Sequence, residues 1–498
     1  MNWYNLLPLF MLFSSLIPGV IIFFLREESH TWRNFLNLGG AVAKIIFILA
    51  MLVGIYYQHS FEFRLQFLPG IDLVLNADAL SMLFATLSAL LWFLTTIYAI
   101  GYFRGTQNQS RFFGFFSLCV CATVGIALSG NLVTFLFFYE ILTLTTYPLV
   151  VHPGSNEALR GGRIYLIYTF SGGALLLFAT AWLVSLAGSV SFSDGNSLAA
   201  IQNEHQMSLT IIFYLFVLGF GVKAAMFPLH GWLPIAMVAP APVSALLHAV
   251  AVVKAGVFGI VRIFHDVYGP QLATDLGVVT PLAVMASFTI LYGSLRALFQ
   301  DNLKQRLAYS TISQLSYIVL GIALSNPLAA TGGLVHLVHQ GIMKVTLFFS
   351  AGNLSATLGL HHVSRMKGVG RRLPWTMTAF TIDAFGMIGI PPLAGFISKW
   401  YLGIGGMASG QYWVIAILVF STLLNAAYFL PVVYTVWFEK QLIPWPKDTY
   451  TGKLETHWML LLPPLVTALM IIIVGFFANT IISPLEWVKL IITRKMTP

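Results

Sequence analysis

Charge is what this chain has least of. Only 9% of its 498 residues are Asp, Glu, Lys or Arg while 58% are hydrophobic, a balance that excludes a soluble globular domain. Cysteine is nearly absent too. Cys119 and Cys121 fall two apart on a predicted helix and point in different directions, so they can neither bridge each other nor found a metal site, and they read as packing residues. There is no Gly-rich phosphate loop, no cysteine cluster for an iron–sulfur centre and no haem-attachment motif. The chain therefore handles neither nucleotides nor electrons, and it calls for no cofactor or redox centre of its own. Its net charge of +9 has no run of like charge behind it, which argues against nucleic acid as a partner.

What is present is a succession of apolar runs of about 20 residues joined by short polar links, the pattern of an all-α polytopic membrane protein in a lipid bilayer. Fourteen spans are expected, at about 5–25, 35–57, 80–103, 112–130, 131–152, 164–188, 208–238, 241–264, 275–297, 305–325, 328–358, 374–401, 412–438 and 457–482. The first run has no basic residue before it and no small-residue cleavage site after it, so it reads as a retained helix and not a signal peptide. Segment 58–76 alternates apolar residues around Pro69-Gly70 and reads as an extramembrane hairpin. If the spans alternate, one side collects the basic residues of the loops near 26–33, 104–111, 160–163, 296–306, 365–372 and 440–453. The other side collects only Arg64, Arg262, Lys489, Arg494 and Lys495. By the positive-inside rule the first side is cytoplasmic and both termini lie on the outer side of the cytoplasmic membrane.

Five basic residues remain inside spans: Lys44, Lys223, Lys254, Lys344 and Lys399, with Glu140 and Asp383 as acids. A lysine at bilayer depth costs roughly 2.5–3.5 kcal/mol, so it marks function or a partner. Lys223 and Lys254 flank a proline-rich break, PLHGWLP at 228–234, which is echoed by PLAGFIS at 392–398. Paired interruptions in two halves of a transporter point to a midplane site between structural repeats. A carboxylate buried alone would take up a proton, and beside a lysine it would stay ionised. Glu140 is accordingly expected to pair with Lys223, the alternative being a neutral glutamate that locks helices together.

His248 is either a proton station between Lys223 and Lys254 or a core histidine satisfied by Ser244. His230, in the break, serves the path or caps backbone groups freed by the prolines. His336, Gln340 and Lys344 fall at i, i+4 and i+8 on one helical face, with His339 beside it, and form either a wet proton path or a polar seam. Lys399 is expected at the far end of the path, unless it snorkels. Lys44 is expected to meet a partner subunit or to snorkel. For Asp383 a salt bridge to a lysine and contact with a metal cation are both open.

Three stretches, the run from Pro228 to Arg262, DNLKQRLAYSTISQLSYIVLG at 301–321 and GIPPLAGFISKW at 389–400, together resemble a known family. It is that of the antiporter-like, proton-conducting subunits shared by respiratory complex I, membrane-bound hydrogenases and Mrp cation/proton antiporters. The resemblance covers roughly 75–435 and is nearest the D-like members of the Mrp group. It implies two inverted five-helix repeats with discontinuous seventh and twelfth helices. The corresponding division is 1–110 for helices 1–3 and the hairpin, 111–266 and 267–440 for the repeats, and 441–498 for helix 14 and the tail. It also implies that Glu140, Lys223, Lys254, His336, Lys344 and Lys399 occupy the family's charged positions, with Gln340 in place of a common histidine and His339 adjacent. The expected function is proton translocation within a complex of antiporter-like and small membrane subunits. Redox-driven pumping in a NADH-quinone oxidoreductase-like or hydrogenase complex, Na⁺ or K⁺ exchange for H⁺, and a mainly structural role are the alternatives.

Overall fold

The computed structural model describes residues 3–68, 71–193, 198–441, 443–448 and 452–496. The chain opens with α1 (Leu7–Phe23) and α2 (His30–Tyr56), then an antiparallel hairpin of β1 (Phe61–Leu68) and β2 (Ile71–Ala77). The turn expected at Pro69-Gly70 lies outside the described residues. Next come α3 (Ala79–Tyr102), α4 (Gln109–Ala127), α5 (Leu132–Val150), α6 (Asn156–Ala187) and α7 (Gln202–Lys223). After a break comes the short α8 (Trp232–Ile235). One long rod, Ala241–Tyr268, then contains α9 (Ala241–Ala245), a π-helical turn at Leu246–Val250, α10 (Val252–Arg262) and a second π-helical turn at Ile263–Tyr268. The remaining helices are α11 (Pro270–Asp275), α12 (Val279–Leu298), α13 (Leu303–Ala323), α14 (Pro327–Leu358), α15 (Pro374–Ile388), α16 (Ala394–Ala408), α17 (Trp413–Trp437), α18 (Trp458–Phe476) and α19 (Pro484–Met496).

The helix starts are chemically marked. Asp78, Asn131, Ser155, Asn302 and Asn326 each accept a backbone N–H of the first turn of α3, α5, α6, α13 and α14, satisfying donors that helix geometry leaves open. Gly359 closes α14 in the left-handed conformation, which costs glycine nothing sterically.

Among the described residues, 12 helices are long and apolar enough to cross a membrane. Two expected spans fall outside that set for physical reasons. α13 is long enough, but its inner face is polar, with Ser310, Gln314 and Tyr317 buried on it. The expected span 374–401 is broken at Gly389–Leu393, leaving α15 and α16 at 15 residues each. The two most enclosed spans are the 241–268 rod and α14, so the core of the bundle is built on them. Where a plain tail is expected after the last span, α19 docks on the start of α3. The Trp487 indole N–H donates there to the Ala79 carbonyl at 2.9 Å.

Candidate functional site

α7 stops at Lys223, and the chain turns through Ala224–Gly231 before α8. The Trp232 indole N–H reaches back to the Val222 carbonyl at 2.7 Å, satisfying one of the acceptors that the helix end leaves open. His230 does not cap this break. Its ring stacks on Phe227 and lies edge-on to Tyr292, with centroids at 5.6 and 4.9 Å. Phe227-Pro228 and Pro391-Pro392 are both cis, one in each break.

Lys223 is fully buried. Its ammonium donates to the Tyr139 carbonyl at 2.5 Å and stands 3.3 Å from the centre of the Tyr139 ring. No ion pair joins it to Glu140 among the described residues within 4 Å, so the direct pair expected from sequence is not formed here. The reason is local geometry, since Tyr139 and Glu140 are adjacent on α5 and point about 100° apart around the helix. The Glu140 carboxylate sits against Gly173 of α6, where an added Cβ would collide with Oε1. Oε1 is buried without a hydrogen-bond partner.

Lys254, also fully buried, donates to the Leu337 carbonyl at 2.7 Å and to Gln340 Oε1 of α14. The rod touches α7 at Gly256, where a Cβ would strike the Ala224 backbone N. That close approach sets the rod against the Lys223–Ala224 backbone, yet no side chain bridges the Lys223 and Lys254 ammonium groups among the described residues. His248 is not the bridge. It lies in the π-turn with Nε2 3.2 Å from Met237 Sδ and its ring 4.5 Å from that of Phe348, and it bonds neither lysine nor Ser244.

The α14 seam fans out to three neighbours. His336 Nδ1 is 2.8 Å from Ser398 Oγ of α16, and Nε2 is 3.1 Å from Gln314 Oε1 of α13. Gln340 takes Lys254. Lys344 donates to Ser310 Oγ at 2.8 Å and to the Leu307 carbonyl at 3.1 Å. His339 is buried with neither ring nitrogen hydrogen-bonded. Tyr317 then links the seam to the second break, its ring 5.3 Å from the His336 ring and 5.6 Å from the Lys399 ammonium. Lys399 does not snorkel. It turns inward and donates to the Met387 and Ile388 carbonyls at 3.1 and 2.6 Å, capping the last turn of α15.

The remaining groups singled out from the sequence lie elsewhere. Asp383 is fully buried with both carboxylate oxygens lacking a hydrogen-bond partner, and no lysine pairs with it within 4 Å. No group of three potential metal ligands gathers among the described residues. Lys44 neither snorkels nor lies on the surface. It is fully buried, donates to Ser15 Oγ at 2.7 Å and faces the Trp92 ring at 4.9 Å. The inner stripe of α2 that carries it, Arg33, Asn37, Gly40 and Lys44, faces α1 and α4.

Several residues of the site carry little signal in the sequence. Tyr139, which holds Lys223, reads there as one more aromatic of an apolar run. Arg33 and Arg262 read as loop charges but are buried. Arg33 is held by Gln109 and Ser110, and Arg262 by Asp78 and Asp266. Asp266, four residues after Arg262, is the signal that could have found the second.

Known proteins resemble this chain in sequence and in fold. The family model described as NADH:quinone oxidoreductase/Mrp antiporter, transmembrane, matches residues 129–425. That of the NADH-ubiquinone oxidoreductase (complex I) chain 5 N-terminus matches 69–113. The N subunit of the NADH-quinone oxidoreductase of Desulforudis audaxviator is 34% identical over 83% of this chain and 83% of its own length. The D subunit of the Na(+)/H(+) antiporter of Bacillus subtilis is 26% identical over 90% of this chain and 89% of its own. Among solved structures, a chain of the Mrp complex from Dietzia sp. DQ12-45-1b superposes with a TM-score of 0.84 at 22% identity, covering 100% of this chain and 98% of that one. A chain of the archaeal membrane-bound sulfane sulfur reductase gives 0.86 at 22% identity, covering 99% and 98%.

Proposed function

Because the chain belongs to the NADH:quinone oxidoreductase/Mrp antiporter membrane family, we propose that it is a proton-translocating or cation/proton-antiporting membrane subunit of a multisubunit complex, carrying protons along the buried line from Glu140 to Lys399. The observation that carries this reading is the enclosed succession of titratable groups spaced by hydrogen-bonding residues: Lys254 on Gln340, His336 on Gln314 and Ser398, and Tyr317 between His336 and Lys399. Buried polar rows of this kind are expensive in a membrane and are kept where ions pass.

In this mechanism a proton enters by a wet half-channel, rests on Lys254 or on the His336, His339 and Lys344 group, and leaves by Lys399. Glu140 and Lys223 switch between a paired and a separated state, and the separated state matches the geometry in which Tyr139 holds Lys223. The field of a charge displaced by a few ångströms in a poorly screened interior changes the proton affinity of Lys254. His248 serves as a side station reached by rotation of its π-turn. Asp383, beside Thr346, and Lys44 stand off the line. The paired breaks support reading the halves 111–266 and 267–440 as inverted repeats. The membrane is the cytoplasmic one with both termini outside, and the partners are further antiporter-like and small membrane subunits.

A second reading has an observation of its own: Lys223, Lys254, Lys344 and Lys399 all donate to main-chain carbonyls, as structural staples would. Glu140→Gln and Lys254→Met, each in the assembled complex reconstituted in proteoliposomes, separate the two. Conduction predicts that transport falls to the leak level with assembly preserved. Staples predict that assembly and transport fall together. Dependence of proton flux on added sodium distinguishes cation exchange from redox-driven pumping.

A further inference from the structure

We propose that the cavity beside the hairpin is the water-filled mouth through which protons reach Lys254, and that a buried aromatic layer centred on Phe258 is the gate that closes it. The inference deepens the conduction reading and rests on it.

The cavity holds about 630 Å³ and opens between the end of α2, the hairpin, the second π-turn and α19. His59, Asn76, Asp78, Ser193, Asp266 and Arg494 are among its lining residues, interleaved with apolar ones such as Ile55 and Phe192. Arg262 lies behind this wall, bound to the lining carboxylates of Asp78 and Asp266. It is 2% exposed, with Nη1 donating to Asp78 at 2.7 Å and to Asp266 at 2.5 Å, and Nη2 to Ser81 Oγ at 2.6 Å. The two carboxylates balance the guanidinium groups of Arg262 and Arg494, so the mouth is wetted by charged groups of both signs without a net field that would repel a proton.

Lys254, Phe258 and Arg262 fall at i, i+4 and i+8 on α10, so they share one face and Lys254 lies about 12 Å further in along the axis. Phe258 fills the interval. Its ring is 4.8 Å from that of Phe84 and 6.3 Å from that of Phe135, and the Arg262 guanidinium stands 5.1 Å from its centre. These phenyl rings are all at most 1% exposed. A dry layer of rings offers no hydrogen-bond partner to a proton carried on water, so the mouth and the lysine are disconnected until the layer parts. The means to part it is in the same rod. π-helical turns lie on both sides of α10, at Leu246–Val250 and Ile263–Tyr268. Such turns interrupt the regular α-helical ladder and are frequent at functional sites, and a small rotation of α10 between them would swing Phe258 off Phe84.

Thiol accessibility tests the gate without reference to transport. In the assembled complex in proteoliposomes, with Cys119 and Cys121 replaced by serine, single cysteines are placed at Ser60 in the mouth and at Leu87. Leu87 packs against Gly341, beside the Gln340 that holds Lys254. A membrane-impermeant cationic methanethiosulfonate is the probe. Ser60→Cys is expected to label readily, whereas Leu87→Cys labels only when Phe258→Ala is added, which also raises passive proton leak several-fold. Phe84→Ala opens the same layer and replaces Phe258→Ala if that variant does not assemble. An unreactive Ser60→Cys, or a Leu87→Cys that stays unreactive with both alanine variants, overturns the proposal. If labelling responds as expected but Lys254→Met transports normally, the gate stands and the conduction reading fails.

Discussion

Lys223, Lys254, Lys344 and Lys399 all end on main-chain carbonyls, and the shared choice has a cause. An ammonium removed from water has three protons to place, and each carbonyl, even one already bonded within a helix, carries a second lone pair. In an apolar bundle those carbonyls are the acceptors within reach; at Lys399 the broken end of α15 leaves two of them open. Such a site holds the lysine without an acid, and under the proposed conduction it is from there that the lysine would give its proton to the next group. Glu140 shows the opposite economy: its carboxylate has room only because residue 173 is glycine. Gly173→Ala is therefore predicted to push Glu140 from its seat at a cost of roughly 1–3 kcal/mol, typical of overpacking, measurable as a lowered melting temperature of the complex together with slower proton transport. The lysines are legible in the sequence because a charge inside an apolar run stands out, even where snorkelling or a polar seam could explain it. Tyr139 is not, because one ring among many carries no mark of the ammonium it faces. Arg33 and Arg262 escape because hydropathy assigns a charge near a span end to the loop, although partners such as Asp266 draw it inside.

The breaks show what a short motif does to an element. At the second break Gly389 has a φ of +94° and its Cα lies so close to Lys399 that an added Cβ would sit 2.9 Å from the lysine Cδ. Only glycine meets both demands, and it is this turn that aims the Met387 and Ile388 carbonyls at Lys399. Gly389→Ala is predicted to cost roughly 1–3 kcal/mol in backbone strain, seen as a lower melting temperature, and to slow transport more than an equally destabilising change on the outer face of α17. Both breaks are visible in the sequence as prolines grouped with a glycine and an aromatic residue. The π-turns around α10 and the docking of α19 are not. The first depends on packing between helices, and the second on where Trp487 finds the Ala79 carbonyl, neither of which leaves a periodic trace.

On the scale of the molecule, the enclosed 241–268 rod and α14 form an axis, and Lys254, His336, Gln340 and Lys344 lie along it. In the sequence alone the polar row of α14 reads as either a proton path along one helix or a polar seam to a neighbour. In the fold, His336, Gln340 and Lys344 reach α16, α10 and α13 in turn, so the line runs across helices and the mouth at Arg262 opens towards it from one side. The proposed mechanism has Glu140 and Lys223 change their separation before Lys254 changes its proton. The most direct test is Lys223→Ala in the assembled complex, with proton uptake followed in proteoliposomes and assembly checked in parallel. Conduction along this line predicts uptake at the leak level in an intact complex; wild-type uptake in an intact complex would contradict it.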